Sequence, residues 1–190
     1  FFFKQKTAYE IGTGDWSSDV CSSDLKISSW LRIDSRSQPM QAKAASNYAN
    51  AALARVEALK NGYDEAIMLN YNGKIAEGSA ENIFIVRDGQ IFTPPLTSGC
   101  LAGITRESVI QMIKSDGIEI TERELERDDL YAADEIFMTG TAAEVKSVSQ
   151  VDNVTISDGK MGNITKTLQK SFMDVAMGKD ERFSHWLTYI

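Results

Sequence analysis

The sequence predicts an α+β or mixed α/β fold in which short strands, many of them paired as hairpins, alternate with packed helices. Three observations support this prediction. Apolar runs of strand length are separated by Asn-Gly and Asp-Gly dipeptides, which favour tight hairpin turns. Alanine-rich and apolar-periodic segments of helical length lie between the strands. No internal repeat and no low-complexity linker interrupts them, so the elements are expected to belong to one domain.

In the first half of the chain, one long helix is followed by two hairpins. The helix has Ala, Leu and Val at helical spacing and ends before Gly62, a residue type common directly after a helix. The two hairpins have their turns at Asn72-Gly73 and Asp88-Gly89. The predicted elements are a strand over 26–33, a helix over 42–61, strands over 65–70 and 74–78, and two strands within 82–95.

In the second half, helices and strands alternate. A helix opens after the loop at Gly103 and closes before Gly117, and a later strand ends in a Gly-Thr pair. The predicted elements are a helix over 105–114, a strand that begins at 118 and runs into a loop by 126, a short helix within 128–134, a strand over 135–141, one or two strands within 145–156, and a helix over 162–177.

The composition excludes several classes of function. The net charge of −7 argues against nucleic-acid binding, because a surface that follows phosphates is basic. No run approaches the roughly 20 apolar residues that span a bilayer, so a soluble protein without a membrane partner is predicted. Cys21 and Cys100 form no disulfide framework, which fits a reducing, cytoplasmic compartment. His185 is the only histidine, which excludes Ser-His and Cys-His hydrolases and histidine-rich metal sites.

Residues 1–25 (FFFKQKTAYEIGTGDWSSDVCSSDL) differ from the rest of the chain. They show no helical or period-two apolar pattern, and SSDVCSSD is a short near-repeat. They also lack the basic start, apolar centre and small-residue cleavage site that follow one another in a signal peptide. The stretch resembles translated read-through of a sequencing adapter. We therefore expect a non-native, disordered prefix, with a folded domain over 26–190 that begins near Lys26.

Three loops place small residues and hydroxyl groups beside a strand end or a helix start: EGSAEN (77–82), LAGITRES (101–108) and TGTAAE (139–144). At the helix start after Gly103, unpaired backbone N–H groups and the helix dipole favour an anion. Taken alone, each motif is ordinary capping or turn chemistry, and a lysine such as Lys43 is an ordinary surface charge. One ligand uses all three loops together with a lysine and a tyrosine. Pyridoxal phosphate has a phosphate, an aldehyde, a phenolic oxygen and a ring nitrogen that an acid keeps protonated.

Seven strings occur along the chain in the order in which a known family has them: SSW (28–30), AKAASNY, GYDEAIMLN, EGSAENIF, LAGITR, LYAADEIFMTGTAAE and TKTLQ. Residues 26–190 are similar to the C-terminal part of the class IV aminotransferases, the pyridoxal-phosphate enzymes of fold type IV, and most closely to the branched-chain amino acid aminotransferases. The resemblance implies the large cofactor-binding domain of that fold. It also implies transamination of leucine, isoleucine and valine with 2-oxoglutarate, which yields glutamate.

The resemblance also implies a role for individual residues. Lys43 is expected to form the Schiff base with the cofactor and to act as general acid and base. Tyr48 is expected to bond the phenolic oxygen, and Glu77 to keep the ring nitrogen protonated. The other implied contacts are Leu101 on the ring face, Ile104, Thr105 and Thr141 at the phosphate, Thr141 and Ala142 at the substrate carboxylate, and Ala80 at the substrate.

Three positions depart from the family pattern. Ala80 stands where glycine is common, and its methyl group is expected to narrow the substrate pocket. Ala102 and Asn163 stand where proline is usual. These departures concern the breadth of accepted substrates more than the chemistry.

The resemblance further implies a missing part. Family members carry an N-terminal domain with a phosphate-binding arginine and much of the side-chain pocket, and neither Arg32 nor Arg36 is assumed to replace that arginine. We expect little turnover from this chain alone, and a homodimer or higher homo-oligomer for the complete enzyme.

Sequence alone leaves alternatives open. A D-amino acid aminotransferase or an aminodeoxychorismate lyase uses the same lysine and glutamate, and a non-catalytic binding domain keeps the same fold. The string TGTAAE favours the branched-chain type. The joint presence of Lys43, Tyr48, Glu77 and Thr141 argues against a non-catalytic domain.

Overall fold

The computed structural model describes residues 22–188, which form nine strands, four α-helices and two 3-10 helices. The strands are β1 (Ser22–Ile27), β2 (Glu65–Leu69), β3 (Ile75–Gly78), β4 (Asn82–Arg87), β5 (Gln90–Thr93), β6 (Ile120–Glu122), β7 (Glu135–Gly140), β8 (Glu144–Val151) and β9 (Val154–Thr155). The α-helices are α1 (Ala45–Lys60), α2 (Ile104–Ser115), α3 (Arg127–Tyr131) and α4 (Asn163–Ala176). The 3-10 helices are Leu96–Ser98 and Glu181–Trp186.

The nine strands form one mixed sheet in the order β3-β2-β1-β8-β7-β4-β5-β6, with β9 paired to β8. β1 runs parallel to both β2 and β8, and β5 runs parallel to β6. The remaining neighbours are antiparallel. Mixed strand directions together with packed helices confirm the predicted mixed α/β class.

The sheet curls until its two ends meet. The Ile75 N–H, on edge strand β3, donates to the carbonyl of Leu125 at 2.8 Å, shortly after the opposite edge strand β6. The Gly78 N–H donates to the Glu81 carbonyl at 2.7 Å, which brings the end of β3 against the start of β4. Strands that are distant in sheet order therefore surround one interior.

Alternate strand residues face two separate cores, as the period of two requires. Ile83 and Ile85 of β4 belong to the inner cluster, which also contains Leu25 and Ile67. Phe84, between the two isoleucines, faces the opposite way and packs with α2 and α4. Its ring stacks on that of Phe137 with centroids 4.8 Å apart. The helices therefore cover the outer face of the curled sheet.

Both predicted hairpins are confirmed. β2 and β3 pair antiparallel across the turn at Gly73, where φ is 76°. β4 and β5 pair antiparallel across Asp88 and Gly89, whose φ values are 51° and 76°. In the β4–β5 hairpin, positive φ at both central residues gives the backbone twist that matches a two-residue turn, whereas the β2–β3 connection is longer and has positive φ only at Gly73.

The strand predicted over 26–33 is wrong in its extent, because β1 ends at Ile27. The Ser28 hydroxyl donates to Glu57 at 2.6 Å and accepts the Trp30 N–H at 3.0 Å. This local bonding competes with the strand ladder and turns the chain out of the sheet.

The predicted helix start at residue 42 is also wrong, because α1 begins at Ala45. The buried side-chain amide of Asn47 donates to the carbonyl of Ala42 at 2.9 Å and to that of Pro39 at 3.2 Å. The Ala42 carbonyl therefore accepts the Asn47 side chain and the Ala44 N–H of a tight turn, not the N–H of a helical turn. As a result, Lys43 lies in a loop held in place by the helix that follows it.

The boundary predicted at Lys26 falls inside a strand. Residues 22–25, assigned to a disordered prefix, form most of β1 and pair with β8, and Leu25 is fully buried. The described fold therefore extends to Ser22. Residues 1–21 lie outside the described residues, and the adapter origin of residues 1–25 stays a prediction.

Candidate active site

One cleft of about 250 Å³ lies where four chain segments meet: the loop before α1, the β3–β4 turn, the loop before α2 and the end of β7. These segments come from distant parts of the sequence, and the curled sheet brings them together. Eight of the nine predicted site residues line this cleft: Lys43, Tyr48, Glu77, Ala80, Leu101, Ile104, Thr105 and Thr141.

Lys43 and Tyr48 enter the cleft from the start of α1. Lys43 is exposed in the loop, and Tyr48 is half-buried in the first turn of the helix. The two bonds from the Asn47 amide fix the loop backbone on either side of Gln41. The amine therefore stands on an anchored loop but remains accessible from the cleft.

Gln41 joins the Lys43 loop to the loop before α2. Its Nε2 donates to the carbonyl of Cys100 at 2.9 Å, and its Oε1 accepts the N–H of Ala102 at 2.9 Å. The amide thus fastens two walls of the cleft with two bonds. Burial raises the pKa of the neighbouring Cys100 to about 11, so this thiol stays protonated at neutral pH and is not a nucleophile.

Glu77 is a buried carboxylate with three partners. Its Oε1 lies 2.7 Å from Nη2 of Arg32. Its Oε2 accepts the side-chain amide of Asn82 at 3.1 Å and the N–H of Leu101 at 3.0 Å. Burial raises the pKa of Glu77, while the charge of Arg32 and the bond from Leu101 act in the opposite direction. An acid held in this way can face a cationic group across the cleft.

The start of α2 presents free backbone donors. Gly103 occupies the N-cap position, and no side chain caps the helix. A Cβ at Gly103 would stand 2.2 Å from Oδ1 of Asn82, so only glycine fits this close approach. Ile104 is 85% exposed, whereas Thr105 is 7% exposed and points inward. Uncapped N–H groups at the start of a 12-residue helix suit an anion such as a phosphate.

The end of β7 contributes two threonines. Thr139 stands opposite Asn82 in the β4–β7 register, and Thr141 follows in the turn to β8. Both line the cleft. Thr139 is 1% exposed, and its Oγ1 has no hydrogen-bond partner among the described residues. A buried hydroxyl without a partner costs free energy unless a ligand or water completes it.

The predicted substrate residues Ala80 and Ala142 line two different cavities. Ala80 is exposed in the β3–β4 turn and lines the cleft. Ala142 lines a neighbouring cavity of about 410 Å³ together with Glu65 and Glu81. Burial and the nearby Glu65 raise the pKa of Glu81 to about 7. The structure does not bring Ala142 into the cleft, and the predicted role of its N–H group stays a prediction.

Three residues of the site had no role in the sequence analysis, although each lies in or beside a quoted string. Gln41 and Asn82 supply the bonds that join the walls, and Thr139 supplies the unpartnered hydroxyl. Arg32, to which the sequence assigns no role in the site, is buried against Glu77. The signal for Asn82 was its place in EGSAEN, five residues after Glu77.

Within residues 22–188, no helix is long and apolar enough to cross a membrane. The same residues contain no cluster of three or more His, Cys, Asp or Glu side chains that could hold a metal ion. The groups that the cleft offers to a ligand are a lysine, a tyrosine, a carboxylate paired with an arginine, and the start of a helix.

The sequence matches the family described as Amino-transferase class IV over residues 7–151, and the chain belongs to this family. It is 49% identical over 164 residues to the probable branched-chain-amino-acid aminotransferase of Aquifex aeolicus (strain VF5), a match that covers 86% of this chain and 53% of that protein. It is 44% identical over 167 residues to the branched-chain-amino-acid aminotransferase of Escherichia coli (strain K12), covering 88% of this chain and 54% of that protein.

A solved structure agrees with the fold. The branched-chain amino acid aminotransferase from Thermobaculum terrenum, solved in its PLP-form (holo-form), is 42% identical, with a TM-score of 0.86 over 88% of this chain and 55% of that one. This match confirms the predicted fold, and the family match together with the relatives confirms the predicted resemblance. The chain spans about half the length of the relatives it matches.

Proposed function

We propose that this chain is the cofactor-binding portion of a pyridoxal-phosphate-dependent transaminase for branched-chain L-amino acids. The observation that carries the proposal is the meeting of Lys43, Glu77 and the uncapped start of α2 in one cleft. The complete enzyme takes the amino group of leucine, isoleucine or valine and gives it to 2-oxoglutarate, which releases a branched 2-oxo acid and glutamate.

The residues present fit pyridoxal phosphate group by group. Lys43 offers an exposed amine for the aldehyde, and Tyr48 a hydroxyl for the phenolic oxygen. Glu77 offers a buried carboxylate for the ring nitrogen. Leu101 offers an apolar side chain for the ring face. The phosphate fits the N–H groups at Ile104 and Thr105, with the hydroxyl of Thr141 as a further contact. The unpartnered Thr139 hydroxyl supports a polar ligand on this wall.

When bound, pyridoxal phosphate supplies an electron-withdrawing ring that stabilises negative charge at the substrate Cα. The Glu77 carboxylate holds a proton on the ring nitrogen, which keeps the ring electron-poor. Once the substrate amino group has replaced it on the cofactor, the Lys43 amine would take the proton from the substrate Cα and deliver it to C4′ of the cofactor, as a general base and then a general acid. Tyr48 orients the phenolic oxygen, and the start of α2 anchors the phosphate.

Substrate choice rests on the relatives rather than on this cleft alone. The relatives at 49% and 44% identity are named as branched-chain enzymes, and this supports the same substrate class for the complete protein. Thr141 and Ala142 are proposed to bind the substrate carboxylate through their N–H groups, with Ala80 beside the substrate. We also propose a homodimer or higher homo-oligomer, and low turnover for this chain without the remaining half of its relatives' length.

The proposed attachment at Lys43 is tested by borohydride trapping. The chain is mixed with pyridoxal phosphate, reduced, digested and mapped by mass spectrometry. We expect a single reduced adduct on the peptide that contains Lys43 and none after Lys43→Ala. Lys60→Arg is the matched control, because Lys60 lies in the last turn of the helix that follows Lys43 and outside the cleft. Labelling spread evenly over surface lysines would favour a non-catalytic domain.

The substrate class is tested on the complete enzyme, once a long read of the source DNA has defined the sequence upstream of the Lys26 codon. Turnover is measured with leucine and with D-alanine, each with 2-oxoglutarate as amino acceptor. We expect faster turnover of leucine. A preference for D-alanine would assign the protein to the D-amino acid aminotransferases instead.

A further inference from the structure

Arg32 is the buried cation at the back of the cleft. Its side chain and that of Glu77 are each 6% exposed, and Nη2 lies 2.7 Å from Oε1 of Glu77. The Arg32 N–H donates to the carbonyl of Leu69 at 2.8 Å, which fixes the backbone after β1 against β2. Both backbone and side chain of Arg32 are thus held at this position.

A count of lone pairs shows which oxygen of Glu77 remains open. A carboxylate oxygen accepts two hydrogen bonds in good geometry. Oε2 already accepts from Asn82 and from the N–H of Leu101. Oε1 forms an ion pair with Nη2 of Arg32 and accepts no hydrogen bond from a described residue. A hydrogen-bond donor in the cleft would therefore bind Oε1, beside the guanidinium of Arg32.

Glu77 is the only ion-pair partner of the Arg32 side chain among residues 22–188. The Nε and Nη1 atoms of Arg32 are buried and have no hydrogen-bond partner among residues 22–188. A buried guanidinium with a single partner is costly. Neither the Glu77 carboxylate nor the Arg32 guanidinium therefore has another buried group, in the described part of the chain, that could replace its partner.

Other charged groups near Glu77 are less able to balance it. Arg106 is engaged by Glu122 at 2.6 Å and by the Pro94 carbonyl at 3.0 Å. The titratable and charged groups around Glu77 are Arg32 from the loop after β1, Arg106 from α2, Cys100 from the loop before α2, and Lys43 and Tyr48, which line the same cleft.

We propose that Arg32 is a positioning residue, which keeps Glu77 ionised and directs the free lone pair of Oε1 at the group in the cleft. The effect of Arg32 on the cofactor ring nitrogen rests on the proposed function. The effect of Arg32 on Glu77 does not, because it is present in the chain without cofactor. The effect on Glu77 and the effect on the cofactor are therefore tested separately.

The test follows the Glu77 carboxyl by ¹³C NMR in the full chain, labelled at glutamate carboxyls and free of cofactor. Glu77→Gln assigns the signal. Arg32→Met and Arg32→Gln remove the positive charge, and Arg32→Lys keeps it. Arg36→Met is the matched control, because Arg36 is exposed and pairs with Asp34 instead. Circular dichroism checks that each variant is folded.

We expect the Glu77 pKa to rise by at least one unit in Arg32→Met and Arg32→Gln, about a tenfold change in the ionisation equilibrium. Arg32→Lys and Arg36→Met are expected to titrate like the unchanged chain. An unchanged titration in the two neutral variants would overturn the proposal. If neither neutral variant folds, Arg32→Met combined with Glu77→Gln is expected to restore folding, because the unpaired carboxylate is gone, and failure to do so would also overturn it.

Adduct mapping then separates this proposal from the proposed function. A shifted Glu77 titration without any Lys43 adduct supports the pairing and refutes the cofactor assignment. A Lys43 adduct with an unshifted Glu77 titration supports the cofactor assignment and refutes the proposed role of Arg32. When both hold, the pH below which the affinity for pyridoxal phosphate declines is expected to move up by the same unit in Arg32→Met and to return in Arg32→Lys.

Discussion

The close approach of Gly103 and Asn82 gives the sharpest structural prediction. Gly103 has φ −68° and ψ 136°, which alanine adopts without strain, so backbone strain adds nothing to the cost of Gly103→Ala. That Cβ would stand 2.2 Å from Oδ1 of Asn82, and the Asn82 side chain would have to move. The side chain is 6% exposed and has no free space in solvent to turn into.

Movement of Asn82 breaks two bonds. Its amide donates to the Glu77 carboxylate at 3.1 Å and to the Leu101 carbonyl at 2.9 Å. A bond to a charged group contributes about 1.5–3 kcal/mol and a neutral one about 1 kcal/mol, so we expect Gly103→Ala to lower the free energy of unfolding by about 2–4 kcal/mol. The same change displaces Glu77 and the start of α2 together, so pyridoxal phosphate binding is expected to weaken as well.

A double-mutant cycle in urea unfolding isolates this contact. In the Asn82→Ala background the obstructing oxygen is absent, so Gly103→Ala is expected to cost only about 1 kcal/mol, the usual penalty for alanine at an N-cap. Equal costs in the two backgrounds would refute the reasoning, because the penalty would then be independent of Asn82.

Three further predictions concern other parts of the structure. Gln41→Ala removes both bonds between the Lys43 loop and the loop before α2. We expect a loss of about 1–2 kcal/mol, seen in a spectroscopic titration as roughly tenfold weaker cofactor binding, and wild-type affinity would contradict this. Phe84→Ala removes a fully buried ring, and urea unfolding is expected to show a loss of about 3–5 kcal/mol; the exposed Leu59→Ala should change stability by less than about 1 kcal/mol. Burial raises the pKa of Glu81 from the ordinary 4.5 to about 7, so the stabilising preference for its neutral form is present at low pH and is lost as pH rises towards 7. Glu81→Gln is expected to flatten this decline, about 1–3 kcal/mol in unfolding free energy between pH 4.5 and 7, and an unchanged slope would contradict the assignment.

Local chemistry explains which parts of the fold could be predicted from the sequence. The turns at Gly73 and at Asp88-Gly89 follow from backbone preferences of adjacent residues, and both were predicted correctly. The start of β1 was missed because its pairing partners, β2 and β8, are far away in sequence. The start of α1 was missed because the Asn47 side chain binds the loop before it. Interactions of this kind leave no periodic pattern in a sequence.

The candidate site divides in the same way. Lys43, Glu77 and Thr105 were predicted from strings, and they do line one cleft. The bonds that assemble the cleft were not predictable. Gln41 reaches across about sixty positions to Ala102, and Arg32 reaches Glu77 from a loop that had been predicted as a strand. Such contacts depend on how the sheet curls, which no short segment specifies.

A crystal structure of this chain with pyridoxal phosphate tests the central claim most directly. We expect a covalent bond from Nζ of Lys43 to the cofactor, the phosphate at the N–H groups of Ile104 and Thr105, and the ring nitrogen within hydrogen-bond distance of Oε1 of Glu77. A cofactor bound away from this cleft, or held in it without a bond to Lys43, would contradict the account.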